Sequence, residues 1–176
     1  GDMTNFLRYI VESFHSLAES QKKQLHFLAQ MDSLYMAYDP EKIRQIVANL
    51  LSNALKFTPE KGNIYITVSE SNLFAEDEES SLIIKVKDTG IGIPESQLQH
   101  IFDRFYQLDN SHTRKTEGTG IGLALTKELV KLMEGEITVK SPPTGANKGS
   151  EFTVVLPLKR LTAAAENITY PETKDA

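Results

Sequence analysis

Apolar residues recur at Met3, Phe6, Leu7, Ile10, Val11, Phe14, Leu17 and Ala18, the spacing of one helical face. The pattern predicts one amphipathic helix from Met3 to about Ser20. Leu25-His26-Phe27-Leu28 and Leu34-Tyr35-Met36-Ala37-Tyr38 then read as two short strands. Asp39-Pro40-Glu41 starts a second helix, with Asp39 as N-cap and Pro40 at the first helical position, where its missing N–H is not needed. This helix runs to about Phe57. Ile43, Ile46, Val47, Leu50, Leu51, Ala54 and Leu55 cover one broad side, while Asn49, Asn53 and Lys56 form a polar stripe at i, i+4 and i+7. The stripe is either solvated or a pair of amide oxygens and a cation that face a ligand, because amides buried without partners are costly.

Asn63 to Ser69 and Leu82 to Val86 alternate apolar and polar residues around the acidic run Glu76-Asp77-Glu78-Glu79-Ser80, which predicts a hairpin with a solvated loop. The second strand continues into Asp88-Thr89-Gly90-Ile91-Gly92-Ile93-Pro94. A strand that ends in Asp fixes a carboxylate acceptor, and Gly90 and Gly92 lack the Cβ atoms that would hold the backbone off a flat ligand. A short helix, Glu95 to Ile101, leads to Phe102-Asp103-Arg104-Phe105-Tyr106, where the two Phe side chains are core residues or anchors for a loop whose Arg104 reaches an anion. Gln107 to Glu117 has no apolar periodicity and reads as a loop that orders over something. Gly118-Thr119-Gly120-Ile121-Gly122-Leu123 opens a third long helix and presents free N–H groups suited to phosphate. Glu134-Gly135 ends it, and Ile137 to Val139 and Phe152 to Leu156 are two more strands around the loop 141–149. From Lys159 onward no core pattern remains, which divides the chain into a domain at 1–158 and a linker or tail at 159–176.

The 176 residues, 40% apolar, suit one packed core. With 19 Lys and Arg against 24 Asp and Glu, the charge is -5, and no basic field exists to hold a nucleic-acid backbone. The absence of cysteine excludes a disulfide framework, a thiolate zinc site and a cysteine nucleophile. No apolar run approaches the roughly 18 residues needed to span a bilayer, so no direct membrane contact is expected. His15 and His26 read as surface histidines.

Two phosphate motifs fail on spacing. There is no GxxxxGK[ST]. The run from Gly118 is GxGxG after a polar loop, where a dinucleotide fold needs GxGxxG after a strand.

Four boxes in order do resemble one family: the catalytic and ATP-binding domain of sensor histidine kinases, within the superfamily of gyrase, Hsp90 and MutL. They are Asn49-Leu50-Leu51-Ser52-Asn53-Ala54-Leu55-Lys56-Phe57-Thr58, Asp88 to Pro94, Ile101-Phe102-Asp103-Arg104-Phe105, and Gly118 to Leu123. The resemblance implies an α/β (α+β) two-layer sandwich, a mixed sheet packed on about three helices, with an ATP pocket between the layers under a mobile lid, Gln107 to Glu117. It implies that Asp88 accepts a hydrogen bond from the adenine amino group, Asn53 holds Mg²⁺, Asn49 supports the polyphosphate, Lys56 contacts phosphate and Phe57 lies against adenine. Arg104 is then placed near the γ-phosphate. Gly90, Gly92, Ile93, Phe105, Gly118, Thr119, Gly120, Gly122 and Leu123 complete the nucleotide contacts, and Arg104, Lys56 and Asn53 form the catalytic set.

The family's phosphoacceptor stretch, a His followed by an acidic residue and an Arg-Thr-Pro turn, has no match here, since His15 is followed by Ser16-Leu17-Ala18. The expected activity is donation of the γ-phosphoryl of Mg-ATP to a histidine on a separate dimerisation hairpin of the same parent, with a response-regulator receiver domain downstream. The implied setting is a cytoplasmic domain of a membrane-anchored parent, with a hybrid kinase as one form. A nucleotide switch without transfer and an ATPase clamp of the same superfamily are the alternatives. The clamp needs a general base on the asparagine-box helix, where Leu50, Leu51 and Ser52 stand.

Overall fold

The structure, a computed structural model, describes residues 1–71, 80–106 and 122–160. In chain order the elements are helices α1 (Met3–Ser13) and α2 (His15–Ser20), strand β1 (Gln24–Ala29), helix α3 (Pro40–Phe57), strands β2 (Asn63–Ser71) and β3 (Ser81–Asp88), helices α4 (Glu95–Leu98) and α5 (Gly122–Leu132), and strands β4 (Glu136–Lys140) and β5 (Ser150–Pro157). The five strands form one mixed sheet in the order β1-β2-β3-β5-β4. β1 and β2 are parallel and every other pair is antiparallel.

Alternation in the central strands makes one face of this sheet the core. Ile64, Ile66 and Val68 of β2, Leu82, Ile84 and Val86 of β3, and Phe152, Val154 and Leu156 of β5 are buried, as the period of two requires. They meet Met3, Leu7, Ile10 and Val11 of α1, Ile43, Ile46, Val47, Leu50 and Leu51 of α3, and Leu129 and Val130 of α5 in one cluster. The result is the expected two-layer arrangement.

The predicted single helix from Met3 to Ser20 is two helices. Ser13 Oγ donates to the Ile10 carbonyl at 2.5 Å, the acceptor that the Phe14 N–H would use in a regular helix. Phe14 turns instead to the carbonyl of Val11 at 3.0 Å. Such side-chain competition for a helix carbonyl bends the chain.

The predicted strand Leu34–Tyr38 is not a strand of the sheet. Its backbone is shared between two neighbours: Leu34 and Met36 bond to residues of the N-terminus, and Ala37 N donates to Lys159 O at 2.9 Å. Only the isolated bridges Asp2–Tyr35 and Met36–Arg160 result. Paired backbone therefore continues through Lys159 and Arg160, beyond Leu156, the last core residue that the hydrophobic pattern marks. The predicted helix Glu95–Ile101 closes at Leu98, after which three-residue turns, His100 N to Gln97 O and Asp103 N to His100 O, carry the chain on. The acidic run 76–79 lies outside the described residues.

Candidate nucleotide site

α3 begins as its sequence requires. Asp39 Oδ1 accepts from the N–H of Glu41 at 3.0 Å and of Lys42 at 3.3 Å, with Pro40 next in line. The helix then carries Asn49, Asn53 and Lys56 along its half-buried side and ends at Phe57. Asn49 Nδ2 donates to Gly122 O at 3.3 Å and to Thr126 Oγ1 at 3.2 Å. The asparagine box is thereby tied to the first turn of α5, and among the described residues Asn49 Oδ1 is the amide atom left to face a ligand. Lys56 Nζ lies 5.3 Å from the centroid of the Phe57 ring. Thr58 follows, fully buried, and its hydroxyl has no partner among the described residues.

Asp88 ends β3 on the core-facing register, in line with Leu82, Ile84 and Val86. It is 6% exposed. Gly90 N donates to its Oδ1 at 2.8 Å. Burial pushes the carboxyl above the usual carboxylate range, and the backbone N–H groups of Gly90 and Ser150 pull it back. A buried carboxylate with one oxygen fixed by a turn keeps its second oxygen as a strong acceptor.

The glycines around it are demanded by close approach. A Cβ on Gly90 would stand 2.4 Å from Phe57 O, so the turn packs directly on the end of α3. Gly92 has φ +77, in the left-handed region, and a Cβ there would be 3.0 Å from Ser141 Oγ. Ile93 N donates to that same Oγ at 2.7 Å.

Phe102 turns inward, edge-on to Phe152 at 6.2 Å between centroids, while Phe105 is 71% exposed with φ 63. The two Phe side chains therefore differ: one is core and the other stands free of it. Arg104 between them donates to Glu128 Oε1 of α5 at 2.7 Å. That bond, and the charge behind it, raise the guanidinium above its ordinary value. Leu123 packs against the core from the start of α5. Gly118, Thr119, Gly120 and the predicted lid 107–117 lie outside the described residues.

The structure thus gathers Asn49 with Gly122, Gly90 with Asp88 and Phe57, and Lys56 with Phe57. Sequence reasoning missed Ser141, Gly149, Ser150, Thr126 and Glu128. Gly149 and Ser150 had one local signal, a Gly-Ser pair at the start of an alternating strand, and the other three had none. His26 is held in the sheet, its Nε2 3.0 Å from Asn63 Oδ1 and its ring stacked on Tyr65. His15 is at the start of α2, 3.8 Å from Glu12.

Residues 38–160 match the family model described as histidine kinase-, DNA gyrase B-, and HSP90-like ATPase. The chain belongs to this family. Among curated relatives, the ATPase domain is 38% identical over 157 residues to the sensor histidine kinase WalK of Bacillus subtilis, covering 89% of this chain and 24% of WalK. It is 45% identical over 128 residues to the circadian input-output histidine kinase CikA of Synechococcus elongatus, covering 73% of this chain and 16% of CikA. The domain therefore spans about a quarter or less of the length of these kinases. Full-length ShkA, solved in complex with AMPPNP, matches at 26% identity with a TM-score of 0.75, over 93% of this chain and 31% of that one. The mixed open sheet backed by helices is the fold of histidine-kinase ATPase domains.

Proposed function

We propose that this domain binds Mg-ATP between α3, the Asp88–Gly92 turn and the start of α5, and donates the γ-phosphoryl group to a histidine on a separate dimerisation hairpin of its parent. The observation that carries the reading is Asp88. A carboxylate at 6% exposure, with one oxygen held by Gly90 N, suits an exocyclic amine and repels a carbonyl oxygen. This favours adenine over guanine. Phe57 then lies against the base, Gly90, Gly92 and Ile93 line its edge, and Lys56 and Asn49 face the phosphates, joined by Phe105 and the Gly118–Leu123 box.

Among the described residues, no group of three or more His, Cys, Asp or Glu side chains is placed to hold a metal. Asn53 offers one neutral oxygen, a donor set that fits a Mg²⁺ ion carried mainly by phosphates and water. When bound, the ion supplies charge neutralisation at the polyphosphate. Arg104 is exposed and its present partner is a carboxylate, so it is available to exchange Glu128 for an incoming phosphate. The transfer breaks the bond between the γ-phosphorus and the β,γ-bridging oxygen, forms a phosphorus–nitrogen bond to imidazole, and releases ADP. The histidine, its acidic neighbour and a downstream receiver domain belong to other parts of the signalling system, in a parent whose cytoplasmic face carries this domain.

Titration of ATP, GTP and Mg²⁺ into the domain by calorimetry tests the reading. ATP is expected to bind, GTP to fail, and Mg²⁺ alone to bind weakly. Equal affinity for ATP and GTP would overturn the role of Asp88.

A further inference from the structure

Ser141 follows the last residue of β4 and binds backbone on both sides of the candidate site. Its Oγ accepts from Ile93 N at 2.7 Å and donates to Gly149 O at 2.7 Å. Ser150 Oγ stands 3.5 Å away, as a further donor to it. One hydroxyl has one proton and two lone pairs, so these three bonds use its whole capacity.

The bonds join two segments that lie on either side of Asp88. Ile93 closes the Gly90–Gly92 turn, whose Gly90 N–H holds the Asp88 carboxylate. Gly149 lies across the Asp88 backbone, so close that a Cβ on it would be 2.0 Å from the Asp88 carbonyl oxygen. Ser150, next in line, is the β5 partner of Asp88 and its N–H helps to hold the carboxylate charged. Without the Ser141 hydroxyl, a half-buried N–H and a buried carbonyl oxygen both lose their partner. The turn and the start of β5 are then free to part around the carboxylate.

We propose that Ser141 is a positioning residue for nucleobase recognition: its hydroxyl pins Ile93 to Gly149 and thereby sets where the Asp88 carboxylate stands against the base. The inference rests on the reading of Asp88 as the acceptor of the adenine amino group. Ser141 itself touches no base in this account. Its loss therefore weakens discrimination by the amino group and leaves the phosphate contacts of α3 in place.

The test compares ATP with purine riboside 5′-triphosphate, which is ATP without the 6-amino group, in the wild-type domain and in Ser141→Ala. The wild type is expected to prefer ATP by about tenfold or more, the worth of a hydrogen bond to a charged group. In Ser141→Ala the preference falls several-fold toward parity, the affinity for purine riboside triphosphate changes little, and the Ile93 amide exchanges faster with solvent. If Ser141→Ala does not fold, Ser141→Cys, a weaker donor and acceptor, carries the comparison and gives an intermediate preference. A preference kept at its wild-type value, equal weakening of both nucleotides, or an unchanged Ile93 amide overturns the role of Ser141 alone. A wild-type domain that binds both nucleotides equally overturns the Asp88 reading, and this inference with it.

Discussion

Gly90 packs on Phe57 so tightly that a Cβ at Gly90 would lie 2.4 Å from the Phe57 carbonyl oxygen. Because the obstacle is backbone at the end of an 18-residue helix, it cannot rotate away. The first glycine box and the asparagine box are thus one rigid unit. Gly90→Ala is expected to cost about 1–3 kcal/mol, as overpacked sites do, and to lower ATP affinity with it. Urea denaturation and calorimetry measure the two, and a variant of wild-type stability and affinity would show that the two boxes are not in contact.

The buried charge of Asp88 opposes stability. Burial raises its carboxyl above the usual range, so the group ionises less readily in the folded state than in the unfolded chain. The stability this allows is fully present below the ordinary carboxylate pKa and is lost as pH rises through the raised folded value. Asp88→Asn has no charge to desolvate, and its melting temperature should exceed that of the wild type at pH 7, with the gap closing as pH falls toward 4. Its ATP affinity should drop about ten- to a hundredfold, the loss of a charged hydrogen bond. A variant less stable than wild type at every pH would contradict the electrostatic account.

Much of this was legible before any coordinates. The Asp39-Pro40 start and the 3.6-residue apolar spacing define α3, and the strand ending in Asp-x-Gly-x-Gly defines β3 and its tight turn, because these are local signals. The break at Phe14 was not legible, since it depends on which carbonyl the Ser13 hydroxyl takes. Leu34 and Met36 are buried as their alternation requires, yet their backbone partners come from both ends of the domain and leave no local trace. Ser141 and Glu128 were invisible for the same reason: each matters through a contact that only the tertiary fold creates.

Asn49 joins α3 to α5 through Thr126, whose hydroxyl is fully buried and donates onward to Gly122 O at 2.7 Å. Asn49→Ala should cost about 1 kcal/mol, the ordinary worth of a neutral hydrogen bond. A double-mutant cycle with Thr126→Val should show coupling of about 0.5 kcal/mol or more, as residues in direct contact do. Strict additivity would mean that the Asn49–Thr126 bond does not join the two helices and that Asn49 holds α5 through Gly122 O alone.

The Arg104–Glu128 pair lies at the surface, with side chains 67% and 53% exposed, and water screens it. Glu128→Gln should therefore leave the melting temperature unchanged. Arg104→Ala should likewise fold normally and weaken ATP binding far less than Asp88→Asn does, while phosphoryl transfer is lost. Loss of ATP affinity equal to that of Asp88→Asn would place Arg104 among the binding groups and remove its separate role at the γ-phosphate.

Phosphoryl transfer in trans tests the central claim most directly. The domain is incubated with Mg²⁺ and γ-labelled ATP, alone and with the dimerisation hairpin of its parent, and acid-labile label is followed on each chain. The account predicts label on the hairpin histidine, none on this domain, and none on the hairpin when Arg104→Ala replaces the wild type. Label on His15 or His26 of the domain alone, or an unlabelled hairpin beside a domain shown to hold ATP, would contradict it.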